Sequence, residues 1–394
     1  MSFEQPAGTW MRFLSLAGWV TMIAWTAGNL WPPINHDAAL ILDAADRMLH
    51  GDRLYVDIID MNPPLIFYLS AIPELLEGWT SLPSTTWFVL LVMLAIVAGA
   101  LACRRLGHLL VPADQGVLRQ AMPLAALFVT AVFPDYDFGQ REHLLLIALC
   151  PYLLLAAARW QGVGVSRSLT VGVALAATIG FALKPTFLLV PAIVELALLV
   201  RRGWRPTLID PVPWLMLVLT GAYGAAVIVF LPEYLSFALP FGLEIYRPVG
   251  NGSLTVMLGA YLTPIYLASP LLVWAAWRWS KGAIAAMLTL PLLPLIASAV
   301  MQGMGWRYHA MPAIAIAIWL GLMLAAELVD RLTLVQGRTL MVARLAAAAP
   351  LVLVAAAWIP TALAYSPFER QMKFTDSNVD DVVAYAAAVR EAGH

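Results

Sequence analysis

The chain has 394 residues, 61% of them hydrophobic and only 12% charged, with a formal net charge of −1. A soluble domain carries about 25% charged residues, so a water-facing globular core is excluded and the composition predicts an all-α, polytopic membrane protein. The balanced charge points to no nucleic-acid partner, and Cys103 and Cys150 form no CxxC, so neither a disulfide framework nor a cysteine zinc site is implied.

The first apolar stretch, 11–31, follows a weakly charged start whose nearby base is Arg12; with Trp19, Trp25 and Trp31 it is unlike a cleavable signal peptide and reads as an anchor. Next comes NHDAALILDAADRMLHGDRLYVDIIDMNPPLIFY, Asn35 to Tyr68, which holds Asp37, Asp43, Asp46, Asp52, Asp57 and Asp60. Ala38, Ile41, Leu42, Ala45, Met48 and Leu49 recur three and four apart, while Asp43, Asp46, Arg47 and His50 take the other side. That is an amphipathic helix lying along a membrane surface. Asn35 or Asp37 suits its N-cap and Gly51 the position past its end, so Asp37 sits at the positive end of the helix dipole.

A His36-Asp37 pair after the first span, an amphipathic helix, a Gly51-Asp-x-Leu-Tyr-x-Asp57 turn and Asn62-Pro-Pro-Leu65 together resemble the first outer loop of GT-C glycosyltransferases. The resemblance is closest to the branch of protein mannosyltransferases, the lipid A aminoarabinose transferase and rhizobial galacturonosyltransferases. It implies a polyprenyl-phosphate-sugar donor and a catalytic base at Asp37, with His36 and Asp60 beside it.

Further spans are expected near 85–103, 119–134, 143–158, 168–183, 185–200, 212–231, 254–277, 282–300, 308–328 and 342–364, with 65–78 short in the manner of a re-entrant segment. With a cytoplasmic N-terminus and no crossing by 65–78, Arg104, Arg105, Arg119, Arg159, Arg167, Arg201, Arg202, Arg205, Arg278, Lys281, Arg331, Arg338 and Arg344 all fall in inner loops. The acidic clusters fall on the other side. This alternation predicts about eleven transmembrane helices, with interfacial amphipathic helices in the first outer loop. Residues 1–364 form the transmembrane unit; 365–394, with a helix expected over 376–390, form a short extracytoplasmic tail. The expected location is the plasma (bacterial inner) membrane.

Four later stretches carry unusual polar residues. Asp135, Asp137, Arg141, Glu142 and His143 crowd one short outer loop; it reads as a wall of a sugar pocket or, alternatively, as an interfacial turn in which Arg141 and Glu142 pair. Lys184, beside Pro185 between two apolar runs, either snorkels outward or contacts a phosphate. Leu231 to Leu243 reads as another surface-lying helix, followed by Glu244 to Gly252, where Arg247 would grip a lipid phosphate or merely decorate a loop. Gln302-Gly-Met-Gly-Trp-Arg-Tyr-His309 leads into a span; Arg307, Tyr308 and His309 are either an aromatic belt or, by the same resemblance, the donor-phosphate end.

The expected chemistry is inverting transfer to a hydroxyl of a glycan, lipid or protein acceptor, with Asp37 taking the proton and cations at the departing phosphate. No cofactor is expected. A divalent cation stays open only if Asp37, Asp60, Asp135 and Asp137 converge, and their spacing fits no recognised loop. A polysaccharide ligase or polymerase is the alternative, a secondary transporter a weaker one because most charge lies in loops on one side.

Overall fold

The computed structural model describes residues 7–31, 34–246, 263–280 and 282–333. Among them there is no strand, only an isolated bridge between Leu54 and Ile58, and the protein is an all-helical bundle. Among the described residues six helices are long and apolar enough to cross a membrane: Phe13–Leu30, Ser84–Leu110, Arg141–Gln161, Pro211–Phe230, Ala283–Gln302 and Arg307–Arg331; Gly116–Val132 and Arg167–Ala182 are shorter apolar helices. The expected span 342–364, the tail 365–394 with its helix, and Arg247 lie outside the described residues, as does part of 254–277.

In chain order the helices are α1 (Ala7–Ala27), α2 (His36–Leu49), α3 (Leu65–Trp79), α4 (Ser84–Leu110), α5 (Gly116–Leu127), α6 (Arg141–Gln161), α7 (Arg167–Ala182), α8 (Leu189–Arg202), α9 (Trp204–Leu208), α10 (Pro211–Phe230), α11 (Leu239–Phe241), α12 (Thr263–Ala275), α13 (Ala283–Thr289), α14 (Leu292–Gln302) and α15 (Arg307–Thr333). The centre is α6. Its sequence, LLLIALCPYLLLAAA between polar ends, is apolar all round, as a helix surrounded by others must be, and it is buried from Leu145 to Arg159. α4, α7, α13 and α15 pack around it.

Several expectations are refined. α3 has 15 residues, about 22 Å at the α-helical rise and short of a bilayer core. The expected 185–200 span begins with a 3-10 turn, Pro185–Leu188, before α8, because Pro185 has no N–H to continue α7. The 282–300 span is broken into α13 and α14 at Leu290-Pro291. The helix expected over Leu231 to Leu243 is present from Pro232 onward but is not a regular α-helix: it runs through a π-helical turn, Tyr234–Ala238, then α11 and a second π-helical turn, Gly242–Tyr246. Arg159, expected as an inner-loop base, is buried on α6 because Glu195 and Asp210 neutralise it.

Candidate functional site

The helix α2 is set where its pattern requires. The Asn35 side chain accepts the Asp37 N–H at 2.8 Å and is the N-cap. Its own amide donates to the Tyr136 carbonyl at 2.8 Å, stapling the first loop to the 135–137 turn. His36 shares a 2.7 Å hydrogen bond between Nδ1 and the Tyr136 hydroxyl, and its Nε2 lies 3.4 Å from Asp37 Oδ1. The His36 side chain is 74% exposed, that of Asp37 37%. Ala38, Ile41, Leu42, Ala44 and Ala45 are buried, while Asp43, Asp46 and Arg47 face out.

The loop after α2 sorts its own carboxylates. Arg47 Nε donates to Asp52 at 2.8 Å, Arg53 donates from backbone and side chain to Asp57 at 3.0 Å, and Asp46 lies 3.2 Å from His50. These pairs shape the turn. Asp37 and Asp60 instead line a cavity of about 430 Å³. Burial raises the Asp60 carboxyl above its usual range, opposed by hydrogen bonds from the Asn62 and Met61 N–H groups and by the charge of Arg141. The Asn62 N–H donates to Asp60 Oδ1 at 2.6 Å, while the Asn62 side-chain oxygen accepts from Arg141.

Arg141, Lys184, Tyr308 and His309 share that cavity with the two aspartates. An apolar wall of Leu40, Ile41, Ile66, Leu239, Leu243 and Met301 stands beside this polar group. Its volume falls in the range of about 300–1,000 Å³ typical of small-molecule sites. Within the cavity lining, Lys184 Nζ donates to the buried Glu142 Oε1 and, at 2.6 Å, to Gln302 Oε1. Glu142 has no exposed surface, Lys184 has 7%, and Glu142 Oε2 has no hydrogen-bond partner. Burial pushes the Lys184 ammonium down to about 8, against the pull of Glu142. Thus Arg141 and Glu142 do not pair with each other, and Lys184 does not snorkel.

The remaining candidates frame the cavity without lining it. Arg307 lies 2.9 Å from Asp137 Oδ2 and ties the start of α15 to the 135–137 turn; burial raises the Asp137 carboxyl to about 6 although Arg307 opposes it. Asp135 is buried at the head of that turn with a positive φ of 53°. His143 is used on the backbone: its Nδ1 accepts the Gly139 N–H at 2.8 Å, and its Nε2, 2.6 Å from the Thr130 carbonyl, is therefore the protonated nitrogen. Gly139 has φ +80°, and a Cβ there would lie 2.3 Å from the Phe88 ring, so the turn requires glycine. Among the described residues no three His, Cys, Asp or Glu side chains gather to hold a metal ion; Asp135 and Asp137 do not join Asp37 and Asp60 in the cavity.

Sequence reasoning did not single out Asn62, Gln302 or Tyr234 as site residues, although all three line the cavity. Asn62 and Gln302 stand inside motifs it quoted; Tyr234 had no local signal. Searches against protein-family models, curated proteins and solved structures find no match to this chain.

Proposed function

We propose that the chain is an inverting glycosyltransferase of GT-C type, moving a sugar from a polyprenyl-phosphate donor to a hydroxyl of an envelope glycan, lipid or protein. In this reading it has about eleven crossings, a cytoplasmic N-terminus, an extracytoplasmic C-terminus and an outer-face site in the bacterial inner membrane. One observation carries it: the Asp37 carboxylate, the Arg141 and Lys184 cations and an apolar wall meet in a single cavity. A lipid-linked anionic donor needs each of them.

In the reaction the acceptor oxygen attacks the anomeric carbon as its proton passes to Asp37. The bond from that carbon to the phosphate oxygen breaks on the opposite face, and polyprenyl phosphate departs with the electron pair. Phosphate leaves readily, so no general acid is needed; Arg141 supplies positive charge to the departing oxygens. His36, hydrogen-bonded to Tyr136, orients the rim at which the acceptor arrives.

The deciding experiment is Asp37→Asn in lipid nanodiscs with a synthetic donor. Turnover should fall about 10²–10⁴-fold, with melting and donor binding unchanged; wild-type turnover in this variant ends the reading. A ligase or polymerase would accept a lipid diphosphate donor in the same assay. The buried Lys184–Glu142 pair at the break between α7 and α8 favours a transporter as the second reading, since such groups mark ion and substrate paths. Solute uptake into proteoliposomes without any glycosylated product would establish it.

A further inference from the structure

Among the described residues two bases line the cavity, Arg141 and Lys184, and their surroundings differ. Arg141 donates to the neutral Asn62 side chain and has no carboxylate within ion-pair distance among the described residues, so its charge is offset only from farther off, by Asp60. Lys184 is bound to the fully buried Glu142, and that pair is neutral as a unit. An ammonium has three N–H donors, and two are taken by Glu142 and Gln302. One remains.

Gln302 is fixed in the same way. Its Oε1 accepts from Lys184, its Nε2 donates to the Ser298 carbonyl at 3.2 Å, and a second amide N–H is left over. His309, which lines the cavity, has a buried Nδ1 without a partner, and its Nε2 is 4.0 Å from Glu142 Oε1, too far for a hydrogen bond. This end of the cavity therefore has two unused N–H donors and, beside them, a buried ring nitrogen without a partner, on three separate segments, with no net charge from the Lys184–Glu142 pair.

We infer that the Lys184–Gln302–His309 end of the cavity binds uncharged sugar hydroxyls, so that the group transferred is a neutral sugar, with Glu142 positioning Lys184 and Arg141 left for the phosphate. The inference rests on the donor reading above. Hydroxyls both donate and accept, matching the three unused positions. A uronate carboxylate at Lys184 would lie beside the buried Glu142, whose Oε2 has no partner of its own, and an ammonium on an amino sugar would approach Lys184; both meet a like charge in a dry site.

The test is equilibrium binding to the full chain in nanodiscs of four short-chain polyprenyl phosphates: bare, and carrying a hexose, the matching hexuronic acid or an amino hexose. The hexose should bind about tenfold or more tightly than either charged analogue, the worth of one or two well-made hydrogen bonds. Glu142→Gln gives Lys184 an uncompensated charge and should bring the uronate to within about threefold of the hexose or past it. Should that variant not fold, Gln302→Leu decides: hexose binding weakens about tenfold while bare lipid phosphate keeps its affinity. Equal or tighter binding of a charged analogue to the wild-type chain overturns the inference alone. Failure of bare lipid phosphate to bind at all overturns the donor reading, and this inference with it.

Discussion

Two buried ion clusters stand at opposite ends of α6, and they differ in what they leave unused. Near the C-terminal end, Arg159 gives all three guanidinium nitrogens to carboxylates: Nη1 and Nη2 to Glu195 at 2.6 and 2.8 Å, Nε to Asp210 at 2.8 Å. Glu195 also accepts from the Tyr152 hydroxyl at 2.9 Å, and Asp210 accepts from Arg202 at 2.5 Å and caps α10 through the Val212 N–H. Near the N-terminal end, Lys184 keeps one N–H, and Glu142 Oε2 and His309 Nδ1 have no partner. A closed network holds helices together. An open one has capacity for a ligand, and buried polar atoms without partners are uncommon enough to require such an account.

The strongest way to break that contrast is Arg159→Met. Glu195 and Asp210 would be left in a buried site without their shared cation, a loss of about 3–5 kcal/mol by analogy with other broken buried pairs. Thermal unfolding in detergent checks it. Lys184→Met should cost less, about 1–3 kcal/mol, because one buried carboxylate rather than two loses its cation, and should strike donor binding harder. If Lys184→Met cost as much stability as Arg159→Met and left donor binding intact, the distinction between the two clusters would fail.

The open end should also be the one that pH reaches. Asp137, raised to about 6 by burial, holds more protons folded than unfolded between about 4 and 6. Stability therefore falls as pH rises through that window. Below about 6 the neutral acid no longer forms an ion pair with Arg307, and the start of α15 loses a tie to the 135–137 turn. Lys184, lowered to about 8, has the opposite position: its ammonium persists at neutral pH and is lost above about 8, with stability rising as pH moves toward the unfolded lysine value. Turnover should accordingly be bell-shaped with limbs near 6 and 8, and Asp137→Asn should remove the acid limb.

The two clusters were unequally visible in the sequence. The open one is made of residues that look out of place locally: Glu142 and His143 in a short turn, Lys184 beside Pro185, Arg307 to His309 before an apolar run. Any charge in such a setting announces itself. The closed one is built from Arg159, Arg202 and Asp210, each at or near a helix end, where a charge is ordinary, and from Glu195, a lone acid midway along the apolar α8 that the sequence reading passed over; only the packing of α6, α7, α8 and α10 brings them together. For the same reason the α2 amphipathic pattern and its Asn35 cap were legible, being local, whereas the partner of Lys184 was not. Tyr234 reaches the cavity through an irregular run of π-turns that no periodicity encodes.

The smallest expected effect separates the aspartates within one loop. Asp52 and Arg47 pair at 2.8 Å with both side chains nearly half exposed, so water already solvates each and the pair adds little. Asp52→Asn should leave melting temperature and turnover unchanged within error. Asp60 sits in the same loop, on the cavity wall, tied by its Oδ1 to the Asn62 N–H while Asn62 receives Arg141 and offers its carbonyl to the Tyr55 hydroxyl at 2.7 Å. Asp60→Asn keeps an acceptor for Asn62 but removes the negative charge facing Arg141, so turnover should fall about tenfold with the fold intact. Were Asp52→Asn and Asp60→Asn to behave alike, acidity in this loop would serve the membrane surface rather than the cavity, and the pairing of Asp52 and Asp57 with arginines would carry no information about which carboxylates are free to act.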